Sequence, residues 1–395
     1  MLFHYETFLT QNLAGTSDSP EGNNTNILDS EIDVGRLKKL KEKYTIAVID
    51  GDGIGPDIMK EARRVLEATR KKFNFTLQYE NAPMGDKVKE TAGEPVPRKS
   101  LETFLGSDAG LKGPVGETTR DLVQALRFNL DLYANVRPAK SYPSITPPAL
   151  RPDIDMVVIR ENTEGLYRSL ENEVIPGVWT TAGVYTEKAC ERISRFSFEL
   201  ARKRLGRGGK GEVVLAHKAN IFRKTHGMFR DIFRAVSKDH PDIRARDLHA
   251  DAVCALFVKE PHKFDVVLAE NLIADLLSDL AGQVAGGLGM TAATNFNMEK
   301  GIGYFEPTHG AAYDIAGTNK ANPIGQISSA GLMLDFLGSY HKDKRLTDAA
   351  ESIELSVKQY LTGSSPDMLP IELGGKADTE KVGKTITELI NSRTE

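Results

Sequence analysis

The sequence predicts an α/β protein of two lobes built around a largely parallel, mixed sheet, and three observations carry that prediction. Short β-branched runs alternate with amphipathic helical stretches, glycine turns join the one to the other, and 395 residues exceed a single average domain. Composition agrees, since 40% hydrophobic and 27% charged residues are ordinary for a globular chain. A net charge of -4 gives no electrostatic case for binding nucleic acid or an anionic membrane. No apolar run approaches the roughly 20 residues that span a bilayer. Cys190 and Cys254 are too few for a disulfide framework and fit a reducing compartment.

Residues 1–44 read as a disordered or loosely attached tail. Asp18, Ser19, Pro20, Glu21, Gly22, Asn23 and Asn24 favour turns over a core, and no Lys or Arg precedes Arg36. Neither a basic organellar presequence nor a secretory signal is legible there, so the expected address is cytoplasmic.

From Thr45 the elements follow in order. Thr45 to Ile49 is a predicted strand ending in Asp50-Gly51-Asp52-Gly53-Ile54-Gly55-Pro56, and Ile58, Ala62, Val65 and Leu66 then recur at helical spacing. Glycines between a strand and a helix can seat a phosphate, but the dinucleotide fingerprint needs a glycine where Pro56 stands. A tight turn with proline at the start of the helix is the preferred reading, and a Rossmann fold is not expected. Met156 to Ile159 and Val213 to Ala216 are predicted strands. Ala189 to Leu205 is a predicted helix stopped by Gly206, packing through Ala189, Ile193, Phe196 and Leu200. Trp179 lies beside Pro176 and Gly177, as in a hairpin. Phe264 to Ala269 is a strand that feeds directly into another helix.

That helix holds the densest chemistry. Asn271, Asp275 and Asp279 are four apart and share a face, with Leu272, Ile273, Leu276 and Leu280 expected to pack on the other side. Acids one turn apart repel, and a hard cation such as Mg²⁺ or Mn²⁺ would offset the repulsion. A solvated acidic face accounts for the spacing equally well. Asp251 sits among small and apolar residues, where it would be a buried charge unless a metal or a base accompanied it. Arg127 lies on an amphipathic helix, Arg137 in an apolar segment, and Arg160 at the end of a strand. Such cations suit bidentate binding of carboxylates. Taken alone, ordinary surface pairs are the simpler account of them.

Seven motifs then fall in one order. They are Gly51 to Pro56, Leu111-Lys112-Gly113-Pro114, Leu132 to Pro138, Arg160-Glu161-Asn162-Thr163-Glu164, His217-Lys218-Ala219-Asn220, Asn271 to Asp279, and Glu306-Pro307-Thr308-His309-Gly310. In this the chain resembles the β-decarboxylating dehydrogenases of isocitrate, homoisocitrate and isopropylmalate, from about Thr45 to the C-terminus. The resemblance implies that family's fold, with 45–140 and 292–395 as a large cofactor-binding domain. Residues 141–291 would form a small domain carrying the dimer interface and the metal site. It implies that Arg127, Arg137, Arg160 and Asn220 bind a di- or tricarboxylate, and that Asp251, Asp275 and Asp279 hold Mg²⁺ or Mn²⁺. Lys218 with Asp251 would serve deprotonation of the substrate hydroxyl, and Tyr167 would return a proton after decarboxylation. Lys218 and Asp251 would come from the other subunit, making a homodimer the smallest catalyst.

The segment from Glu306 to Gly317, continuing to Asn322-Pro323, resembles the family's adenosine loop, with Ala311 and Tyr313 replacing the usual serine and proline. Lys112, Glu306, His309, Gly310, Asp314, Ile315 and Asn322 would bind the cofactor. A carboxylate at Asp314 accepts ribose hydroxyls and repels a 2′-phosphate, which favours NAD. Substrate choice is expected on the helix of Arg127, where Asp121 and Val123 break the isocitrate pattern. Glu161-Asn162-Thr163-Glu164 and Arg120 lean the reading towards isocitrate, with homoisocitrate and isopropylmalate as alternatives. A non-catalytic regulatory subunit is disfavoured, because Tyr167, Lys218 and the three acids are all present.

Overall fold

The structure is a computed structural model that describes residues 41–145 and 149–393, with only the backbone of residues 119–122, 125 and 144. Residues 1–40, most of the expected tail, lie outside it. The strands are β1 (Tyr44–Ile49), β2 (Leu77–Asn81), β3 (Ala109–Lys112), β4 (Ala134–Lys140), β5 (Asp155–Glu161), β6 (Gly165–Ile175), β7 (Val178–Val184), β8 (Glu212–His217), β9 (Arg244–His249), β10 (Val266–Ala269), β11 (Ala292–Asn297) and β12 (Ile302–Pro307). The helices are α1 (Gly55–Lys72), α2 (Asp86–Ala92), α3 (Arg98–Leu105), α4 (Arg120–Asn129), α5 (Glu187–Leu205) and α6 (Thr225–Ser237). They continue with α7 (Ala250–Lys259), α8 (Asn271–Ala285), α9 (Ile324–His341), α10 (Lys344–Gly363) and α11 (Thr379–Ser392).

Among the described residues ten strands form one sheet in the order β2-β1-β3-β12-β11-β4-β5-β10-β8-β9. Each flank is parallel, β2-β1-β3-β12 on one side and β5-β10-β8-β9 on the other. The centre, β12-β11-β4-β5, is antiparallel. The inner parallel strands β8 and β10 read as apolar runs because they are buried on both faces. Val213, Val214, Leu215, Val266, Val267 and Leu268 are all fully buried.

The antiparallel centre alternates instead. Phe296, Phe305, Val136 and Ile159 lie in the main core, where Phe305 meets Phe336 of α9 at a ring separation of 5.5 Å. Helix α9 is buried along its whole length and forms the middle of that core. Since side chains alternate across a strand, the neighbours of these residues face the opposite side of the sheet. Apart from Val158, those neighbours carry polar groups, among them Asn135, Arg137, Arg160, Asn295, Tyr304 and Glu306.

The expected local elements are present. Pro56 starts α1, whose Ile58, Ala62, Val65 and Leu66 are buried. Thr186 caps α5 by accepting the N–H of Ala189, and the predicted stripe of α5 is buried. Pro176 and Gly177 make the turn of the β6–β7 hairpin, with Gly177 at φ 80°. One expectation is corrected. Leu276 does not pack inside but is 65% exposed, because α8 turns Asn271, Ala274, Leu277, Ser278 and Ala281 towards the sheet. The arginines on the sheet's polar face draw the acidic side of the helix inward.

Candidate active site

The site is a row across the antiparallel centre of the sheet. Tyr304 pairs with Asn295, Asn295 with Asn135, and Asn135 with Arg160, so four polar residues on four strands share one face. Two residues further along β4 and β12, on the same face, stand Arg137 and Glu306. The packing joins them into one network. Asn135 donates to Asn295 at 2.7 Å, Asn295 to Glu306 at 2.9 Å, and Arg137 Nε to Asn135 at 3.0 Å. Lys112 at the end of β3 reaches Glu306 at 2.6 Å, and Arg127 from α4 reaches it at 3.4 Å while donating to the Tyr304 hydroxyl at 3.0 Å. Burial opposes ionisation of Glu306, but Lys112 and Arg127 outweigh it and hold the carboxyl down at about 2.

Helix α8 closes this face. Glu270 caps it by accepting the N–H groups of Ile273 and Leu272. Arg160, 1% exposed, donates Nε to Asn271 at 2.7 Å and Nη1 to Asp275, and its guanidinium lies 4.7 Å from the centre of the Tyr167 ring. Arg137 Nη1 reaches Ser278 at 2.8 Å, Asp275 at 3.1 Å and Asp279 at 3.5 Å. Tyr167 donates its hydroxyl to Asp275. Burial, then Asp275, raises the pKa of Tyr167 and keeps its proton on. Burial, then Arg137 and Arg127, pushes Arg160 down to about 10. Three guanidiniums thus lie close enough on this face to repel one another. The Nη2 of Arg160 is buried and has no hydrogen-bond partner among the described residues. An anionic oxygen fits that vacancy in the hydrogen bonding and would relieve the repulsion as well.

Among the described residues, no three of His, Cys, Asp and Glu gather as a metal cage. Asp275 and Asp279 stand together and Asp251 does not join them. The expectation that Asp251 is buried is corrected: its side chain is 69% exposed, in the first turn of α7, where it accepts from Lys218 at 2.6 Å. A charged residue on a short apolar stretch can still face outward when that stretch is a surface helix, and Val253 and Phe257 carry its buried side. Asn220 is exposed beside Ile221 and Phe222. An acidic pair, already beside arginines, suits a hard cation that needs further oxygen ligands from elsewhere.

The loop after β12 lies beyond Glu306. The Nε2 of His309 is buried without a partner among the described residues, a donor or acceptor available to a base. Burial lowers the pKa of His309 and favours its neutral ring. Gly310 and Asp314 are exposed and Ile315 is half-buried. Asn322 is buried, donating to Glu372 at 2.8 Å and accepting the N–H of Ile324 at 3.1 Å. Lys112, read as a cofactor contact, is committed to Glu306 and to the Gly113 carbonyl at 3.0 Å.

Three residues that sequence reasoning passed over belong to this network. Tyr304 and Asn295 support Arg127 and Glu306, and Ser278 orients Arg137. A polar residue at every second place of a strand, as in Asn135/Arg137 and Tyr304/Glu306, was the available signal. Conversely, the side chains of Glu161, Asn162 and Glu164 are taken up by bonds to the protein itself, Asn162 donating to Asn295 at 3.1 Å as well. Glu161 accepts from the N–H groups of Thr163 and Glu164, Asn162 holds the Leu132 carbonyl at 3.0 Å, and Glu164 holds Thr186 at 2.7 Å. The side chains of Arg120 and Asp121 lie outside the described residues.

Residues 45–388 match the isocitrate/isopropylmalate dehydrogenase family. The chain is 43% identical to the 3-isopropylmalate/3-methylmalate dehydrogenase of Methanocaldococcus jannaschii, over 87% of its own length and 99% of that protein's. It is 39% identical to an isocitrate/homoisocitrate dehydrogenase of Thermus thermophilus, over 88% of this chain and 99% of that one. Its structure resembles the crystal structure of isocitrate dehydrogenase from Methylococcus capsulatus with a TM-score of 0.80 at 34% identity, covering 88% of this chain and all of that one. The protein belongs to the isocitrate/isopropylmalate dehydrogenase family and is a decarboxylating dehydrogenase acting on a CH–OH group. Among the described residues no helix is long and apolar enough to cross a membrane.

Proposed function

We propose that the protein oxidises the C2 hydroxyl of a 3-substituted malate with NAD and then releases the β-carboxylate as carbon dioxide, in a site shared by two copies of the chain. The observation that carries this reading is the trio Arg127, Arg137 and Arg160 around a buried, unpartnered Nη2. Their charges fit the carboxylates of a malate core. Asp275 and Asp279, with the partner's Asp251, form an oxygen set for Mg²⁺ or Mn²⁺, which when bound supplies positive charge beside the alcohol and the departing carboxylate. Lys218 and Asp251, 2.6 Å apart, move the hydroxyl proton, and Tyr167 returns one to C3. Lys218, Asp251 and Asn220 stand on a surface with exposed Ile221, Phe222 and Val258, which supports covering by a second subunit. His309, Gly310, Asp314, Ile315 and Asn322 would bind NAD, with Lys112 and Glu306 holding the floor of the loop. The large and small domains of 45–140 with 292–395, and 141–291, fit the two parallel flanks of the sheet.

The substituent at C3 meets α4. Val123 is one turn before Arg127 and so shares its face, and apolar Val123 suits an alkyl group such as that of 3-isopropylmalate. That reading now stands ahead of isocitrate, whose supporting motif is spent on internal bonds. Initial rates with NAD and Mn²⁺ test both. 3-Isopropylmalate should exceed isocitrate by roughly 10²-fold in kcat/KM. The reverse order would restore isocitrate, and turnover of neither nor of homoisocitrate would defeat the proposal. Undiminished turnover in excess chelator would remove the metal from it.

A further inference from the structure

Three segments meet at one exposed carboxylate. Asp86 opens α2, and its Oδ2 accepts the Tyr313 hydroxyl at 2.8 Å. Its Oδ1 accepts the backbone N–H of Thr118 at 3.1 Å and the Thr118 hydroxyl too. Tyr313 belongs to the loop after β12. Thr118 lies in the single turn Glu117–Thr119, which runs without a break into α4, the helix of Arg127.

The junction has a rigid base. Asp52, only 4% exposed, accepts the N–H of Asp86 at 2.9 Å, of Lys87 at 3.1 Å and of Gly116 at 2.8 Å. From the same turn, the N–H of Ile54 donates to the Ala311 carbonyl at 2.8 Å. A Cβ at Gly116 would stand 1.8 Å from Asp86 Oδ2 and 2.4 Å from the Tyr313 hydroxyl. The segments close on each other with no room between them. Tyr313 is itself 57% exposed, so this hydroxyl contact spans the surface and can break without unfolding the core. A proline at that position could not make it.

We infer that Asp86 is a positioning residue that couples the loop at Tyr313 to the helix of Arg127, so that cofactor and substrate raise each other's affinity. The inference rests on the reading of 306–317 as the cofactor loop and of Arg127 as a substrate ligand. A cofactor bound to the loop in this position holds the existing Tyr313–Asp86 bond closed, Asp86 in turn holds Thr118, and α4 is kept with Arg127 in place. Linkage requires the reverse effect by the same factor.

The test uses the whole chain with Mn²⁺ and the non-reacting pair of NADH and the preferred 3-substituted malate. NADH affinity is read by fluorescence with and without that acid. In the wild type the acid should tighten NADH about five-fold or more. In Tyr313→Phe and in Asp86→Asn the ratio should fall below about two, with NADH affinity in the absence of acid changed less than about two-fold. A merely structural bond would instead lower the melting temperature and leave the ratio intact. A wild-type ratio of one, or an unchanged ratio in both variants, would overturn the inference. If NADPH binds where NADH does not, the NAD reading fails, while the same ratio measured with NADPH still decides the coupling. Binding of neither cofactor sinks both.

Discussion

Glu306→Gln removes an anion that Lys112 and Arg127 share. Both cations are buried, and both lie within 3.4 Å of that carboxylate, while Asn295 donates to it at 2.9 Å. In the folded protein the carboxyl is held at about 2 against an ordinary 4.5, a fall equivalent to roughly 3 kcal/mol. Breaking one side of a buried ion pair costs about 3–5 kcal/mol, the same order of magnitude. A pKa depressed by folding gives stability that is fully present above pH 4.5 and is lost as the pH falls towards 2. Urea unfolding of wild type and variant, monitored by circular dichroism, should therefore differ by about 3–4 kcal/mol at pH 7. The gap should narrow below pH 4.5, where the unfolded wild type begins to take up the proton. A difference under about 1 kcal/mol at pH 7, or one constant down to pH 3, would refute the placement of this charge as the anchor of Lys112 and Arg127.

Other outcomes follow from the same geometry. Lys218→Ala and Asp275→Ala should each abolish turnover, yet mixing the two after mild dissociation should restore about a quarter of wild-type activity, since about half the dimers are mixed and each mixed dimer holds one intact site of two. No recovery would mean that both groups act within one subunit. Asp314→Lys combined with Ile315→Tyr should raise NADP efficiency relative to NAD by about ten-fold or more, measured as a ratio of kcat/KM values. An unmoved ratio would place cofactor choice on another contact.

Much of the local structure was legible because a short stretch of chain suffices to encode it. The turn at Gly51 to Pro56, the buried stripe of α5 and the Pro176-Gly177 hairpin depend on neighbours close in sequence. The three arginines and the acids of α8 were also visible as residue types at meaningful spacings. Periodicity, however, states which residues share a face and leaves open where that face points. Leu276 and Asp251 show the limit, since an apolar residue faces outward on α8 and an isolated acid faces outward on α7.

By itself the sequence determined the class of fold and the family and named candidate site residues, because strand and helix periods and ordered motifs are properties of a linear chain. Tertiary structure alone decided that Tyr304, Asn295, Asn135 and Arg160 form one row, that Glu306 answers two cations from other elements, and that Tyr313 meets Asp86 across 227 positions. Strand register and long-range packing set those distances. A carboxylate's charge acts over a few ångströms of space, whatever the number of residues that separate it from its partner.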